Sequence, residues 1–86
     1  MTREELIKKT EQLCDLYLEL KKEGVYGIMH FIGEGVRVQC RRHTLAKYAG
    51  DIPIETRKRD CVVYPTETLV ELEKFTAFTL NKEEEQ

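Results

Sequence analysis

The segment from Thr2 to Gly24 constrains this 86-residue chain more than any other. Thr2 followed by Glu5 is a capping box: the hydroxyl accepts an orphan N–H of the first turn, and the glutamate reaches back to the cap. Leu6, Ile7, Thr10, Leu13, Cys14, Tyr17 and Leu20 then recur at helical spacing, with Leu16 and Leu18 on the flanks. Lys8, Glu11, Asp15 and Glu19 fill the opposite side. Glu4 and Glu5 at the start and Lys21 and Lys22 at the end suit the helix dipole, and Gly24 can take the left-handed conformation that ends a helix. The apolar arc is wide, so the helix is expected to lie across something broad, and a sheet is the natural cover.

Beyond Gly24 the chain reads as strands. Val25 to Ile32 is apolar with two aromatics, Val36 to Arg42 alternates, and Gly33-Glu34-Gly35 between them is a hairpin signal. A two-residue loop would set Met29 and Phe31 beside Val36, Val38 and Cys40; a three-residue loop would set Ile28, His30 and Ile32 there, because a one-residue slip inverts the pleat. The two-residue loop is preferred, which leaves His30 outside with Arg37 and Gln39. Thr44 is read as the cap of a short helix through Ala49, stopped by Gly50. Pro53 requires extended chain around it. Cys61 to Tyr64 reads as a strand by its β-branched content, closed by Pro65. The segment from Thr66 to Leu80 is open to two readings, a helix capped by Thr66 or Thr68 and a hairpin turning near Glu73-Lys74; its alternation and its threonine and phenylalanine content tilt it toward the hairpin.

The fold expected is therefore α+β, in the order α-β-β-α-β-β. The long N-terminal helix and the short second helix pack on one face of a four-stranded antiparallel sheet. Residues 1–80 form one domain and 81–86 an acidic flexible tail. No apolar run reaches the roughly 18 residues of a membrane span, and the N-terminal stretch lacks the apolar core of a secretory signal. Cys14, Cys40 and Cys61 are odd in number and widely spaced, as in a reduced compartment, and are read as small apolar residues. A cytoplasmic protein is expected.

Net charge is −2, but it is unevenly spread. Residues 1–36 carry five basic and seven acidic side chains, residues 37–59 seven and two, and residues 60–86 two and seven. The basic middle supplies the candidate contact surface. Arg37, Gln39 and Arg41 stand on the exposed face of the second strand, with Arg42, His43 and Lys47 next in the chain and Arg57, Lys58 and Arg59 as an extension. If the two basic segments were neighbours, they would form a phosphate-binding patch, with Tyr26 or Tyr48 as a stacking surface. The competing expectation is that these arginines pair with Glu67, Glu71 or Asp60 across strands.

Catalysis and metal binding find less support. Cys40 and His43 have a C-x2-H spacing, but zinc needs four ligands, usually in close pairs on turns, and here arginines flank the sulfur. Those arginines would depress the Cys40 pKa, yet no dyad, phosphate loop or other catalytic motif accompanies it. No enzyme activity, metal or cofactor is expected.

The element order, with YPTETLVELEKFTAFTL closing the chain, resembles small uncharacterised proteins encoded by phages and prophages of Gram-positive bacteria. Tyr64-Pro65 before an alternating hairpin and the final FTAFTL carry that resemblance. It implies an accessory role, binding a host protein or modulating replication, transcription or defence. The function expected is a small non-catalytic binding module that acts on a protein partner, either a host protein or a second copy. The alternative is nucleic-acid binding through the basic sheet face.

Overall fold

The structure is a computed structural model and describes residues 1–82, so of the tail expected over 81–86, residues 83–86 lie outside the described residues. Its elements are α1 (Arg3–Lys22), β1 (Val25–Phe31), β2 (Gly35–Cys40), α2 (Arg42–Ala49), β3 (Glu55–Lys58), β4 (Thr66–Glu71) and β5 (Thr76–Asn81). The chain is α+β with the long N-terminal helix and the second helix in place. The sheet is not the four-stranded antiparallel one expected. It has five strands in the order β1-β2-β5-β4-β3. It is also mixed, since β2 and β5 run parallel while the other neighbours are antiparallel. The long connection through α2, β3 and β4 brings β5 back alongside β2 in the same direction, as a parallel pair requires.

The fifth strand arises where the sequence suggests a lead-in. Glu55–Lys58 pairs with β4, Glu55 opposite Leu69 and Lys58 opposite Thr66, whereas Cys61 to Tyr64 forms the loop between these strands. The Arg59 N–H donates to the Pro65 carbonyl at 2.7 Å and closes that loop. Val62 is 89% exposed. β-branched residues favour a half-buried pleated surface, and the loop tip offers none. The β4–β5 hairpin turns where expected, with the Leu72 N–H donating to the Phe75 carbonyl at 2.9 Å.

The first hairpin has the three-residue loop. Phe31 stands opposite Gly35, His30 opposite Val36, Ile28 opposite Val38 and Met29 opposite Arg37. His30 thus shares a face with Val36 and Val38 rather than with Arg37 and Gln39. Gly33 and Gly35 both take positive φ, 84° and 78°, and absorb the extra residue. Val38 and Cys40 are buried as expected, and Val36 is half-buried.

One face of the sheet carries α2. Leu45 and Ala49 pack with Cys40, Val70 and Ala77, and Tyr48 meets Phe75 edge-on at 5.4 Å. The helix starts earlier than the sequence suggests: Arg41 is its N-cap, and Thr44 lies inside it. The Thr44 hydroxyl instead donates to the Glu23 carbonyl at 2.6 Å. The Arg41 N–H donates to the Gly24 carbonyl at 2.9 Å. These bonds tie the end of α1 to the start of α2. Gly24, at φ 102°, is required there because a Cβ would collide with the Thr44 hydroxyl.

The expected packing of α1 across the sheet is absent. No residue of α1 is buried. Every side chain from Arg3 to Leu16 is exposed, and Leu13, expected in the core, is 59% exposed. Only Tyr17 and Leu20 are half-buried, the Tyr17 hydroxyl donating to the Tyr26 carbonyl at 2.8 Å. Twenty helical residues span about 30 Å, whereas six strand residues span about 20 Å. The helix outruns the sheet and meets it chiefly along β1, and the molecule is 48 Å long but 25 × 23 Å across. Among the described residues no helix is long and apolar enough to cross a membrane.

Candidate contact surface

The sheet order divides the predicted basic surface. β2 and β3 are separated by β5 and β4, so the two basic segments are not neighbours. The strand next to β3 carries the acids Glu67 and Glu71. Arg37 donates to Glu67 at 2.9 Å, with its guanidinium 4.2 Å from the centre of the Phe78 ring. Glu67 is only 8% exposed and has Arg59 at 3.9 Å on the same oxygen. Arg57 bridges Glu55 at 2.9 Å and Glu71 at 3.2 Å. Beneath this layer lie Leu69 and Phe78, paired across β4 and β5. The face expected to be an exposed contact surface is therefore an apolar sheet face sealed by arginine–carboxylate pairs. Gln39 is half-buried opposite Phe78, and Lys58 is exposed on β3.

The other predicted residues gather around the start of α2. Arg41 donates to the Tyr26 hydroxyl at 3.0 Å and lies 5.6 Å from its ring. Arg42 donates to the Asn81 side chain at 3.3 Å. His43 is exposed near Gly24, and Lys47 pairs with Glu23 at 3.6 Å, both exposed. Tyr26, Arg41, Arg42 and Tyr64 border one hollow of about 360 Å³, with Lys82 6.0 Å from the Tyr64 ring. A larger groove of about 510 Å³ lies between α2 and the threonines of β3, β4 and β5. Its Asn81 amide is already spent on the Thr66 and Thr68 hydroxyls, at 3.1 and 2.9 Å.

The cysteines occupy three different settings, not one. Cys40 is buried, and its thiol is 3.6 Å from the Phe78 carbonyl. Burial pushes that thiol up to about 11, opposite to the depression expected from the flanking arginines, whose side chains are engaged elsewhere. Cys61 is half-exposed, and hydrogen bonds from the Tyr64 and Val63 backbone, with Arg59 nearby, lower its thiol. Cys14 is exposed on α1. Among the described residues, no three His, Cys, Asp or Glu side chains are placed to hold a metal ion.

The surface that sequence reasoning misses is α1 itself. The helical pattern sets Leu6, Ile7 and Leu13 on the apolar face of α1 and Leu16 and Leu18 on its flanks, and all five are exposed. Between α1 and β1 runs an apolar groove of about 610 Å³, walled by Leu13, Cys14, Tyr17 and Leu18 and floored by Gly27 and Ile28. The space over Gly27 is open, and a Cβ built there would meet nothing. The signal in the sequence is length: a 20-residue helix exceeds what six-residue strands can cover.

Compared with known proteins, the chain matches no family model, and neither the curated proteins nor the solved structures give a significant match.

Proposed function

We propose that this chain is a small non-catalytic interaction module that works by protein contact through α1 and the adjoining edge of β1. The observation that carries this reading is the row of exposed leucines and isoleucine along α1 beside an apolar groove. Contiguous apolar surface of this kind marks contact sites on small proteins, and isolated helices need tertiary packing to be stable in water. The ion-paired arginine face supports the same conclusion from the other side, since its cations already have carboxylate partners. An accessory role is also what the resemblance to phage-encoded proteins implies.

A pull-down from cells expressing tagged and untagged chain tests it. Wild type should retain a protein, Leu13→Glu should lose it, and Lys58→Glu on the far edge should retain it. Equal capture by all three would remove the reading. The hollow bordered by Tyr26, Tyr64, Arg41 and Arg42 favours a second reading, stacking and phosphate contact with single-stranded nucleic acid. Captured material that is destroyed by nuclease and lost in Arg41→Glu/Arg42→Glu would carry that reading instead.

A further inference from the structure

The apolar side of α1 divides into two unlike halves. Its C-terminal half, from Leu13 to Leu20, borders β1 and α2 and forms the wall of the open groove. Its N-terminal half, with Leu6, Ile7 and Thr10, projects past the sheet with nothing over it. One half is a socket without a filling, the other a ridge without a socket. Resting on the protein-contact reading of α1, we infer that the occupant is a second copy of this chain, its α1 antiparallel to the first and crossing it near Leu13.

Three observations single out the second copy. First, a two-fold exchange satisfies both halves at once, because each protomer's projecting ridge enters the other's groove. Symmetric self-pairing of one patch is how closed dimers form. Second, Leu6, Thr10, Leu13, Tyr17 and Leu20 alternate four and three residues apart, the spacing of a helix–helix seam. Leu6 and Leu20 stand equally far from Leu13, so in an antiparallel pair centred there each Leu6 falls level with the other copy's Leu20. Third, the charges at the two ends are complementary. With Leu13 on the axis, the acidic first turn of one copy, Glu4 and Glu5, lies level with the basic last turn of the other, Lys21 and Lys22. This juxtaposition occurs at both ends, whereas a parallel arrangement would set like-charged ends together. Gly27 at the groove floor leaves room for the incoming Leu6 or Ile7.

Light scattering across a dilution series, up to about 1 mM to reach weak association, tests the inference. The wild-type mass should approach twice the 10.1 kDa of one chain and fall toward that value on dilution. Leu13→Glu should stay at 10.1 kDa with its sheet signal intact, since Leu13 is exposed within one chain. Glu4→Lys/Glu5→Lys should raise the dissociation constant by at least about tenfold, and adding Lys21→Glu/Lys22→Glu should restore association. Charge reversal without rescue would overturn the antiparallel arrangement, and a dimer that survives Leu13→Glu would overturn the seam. A wild type of 10.1 kDa at every concentration would overturn the second copy as partner. In that event the pull-down separates the two levels: a different protein lost only in Leu13→Glu leaves the contact surface standing, and unchanged capture removes both.

Discussion

Leu69→Ala should lower stability by about 3–4 kcal/mol, measured as a shift in urea unfolding followed by circular dichroism. Leu69 has no exposed surface and stands between Phe78 on β5 and Glu55 on β3, on the face opposite α2. That face looks wet in sequence because arginines and glutamates dominate it. In the folded chain those charges roof an apolar layer in which Leu69 is the centre. Truncation removes its burial free energy and leaves a cavity that paired strands on both sides cannot close. A loss below about 1 kcal/mol, the range of surface substitutions, would show that the arginine-bearing face is not a second core.

The second large effect lies in the roof itself. Glu67→Ala should cost about 2–3 kcal/mol, below the 3–5 of a fully buried pair because both partners keep some exposure. Arg37 would lose the carboxylate at 2.9 Å, and Arg59 its neighbour at 3.9 Å, leaving a half-buried guanidinium over the Phe78 ring. The double replacement Arg37→Met/Glu67→Leu should recover most of that loss, because replacing both members of a buried pair removes the desolvation cost along with the attraction. If Glu67→Ala were neutral in the same unfolding measurement, the pair would be an ordinary surface contact and the arginine face would again be available to a ligand.

Local structure is legible where local chemistry decides it. The Thr2 cap, whose hydroxyl accepts from the Glu5 N–H at 3.2 Å, the stop at Gly24 and the alternating β4–β5 hairpin all stand as the sequence implies. Three features are not legible, and each depends on non-local geometry. The register of the first hairpin turns on whether Gly33 and Gly35 absorb a third loop residue, a choice that the flanking pattern leaves open. The strand expected over Cys61 to Tyr64 forms one segment earlier, because Glu55 to Lys58, with poor intrinsic preference for strand, is held by pairing to β4. Charge segregation along the chain points to the arginines as a contact surface, but segregation in sequence is not segregation in space. Strand order interleaves the charges: acidic β4 lies directly beside basic β3, and Arg37 reaches across β5 to Glu67. The wide apolar arc of α1 does signal a surface that needs a cover, but the sheet of its own chain does not supply one.

Amide hydrogen exchange in α1, followed as the protein is diluted, decides whether that helix is the working surface. A helix covered by a second copy should have amides between Leu6 and Leu18 that are protected at high concentration and exchange progressively faster on dilution. The amides of β4 and β5, held by pairing within one chain, should not change. Exchange in α1 that is equally fast at every concentration would mean that nothing of this chain's own covers the helix, and would contradict a dimer formed through it.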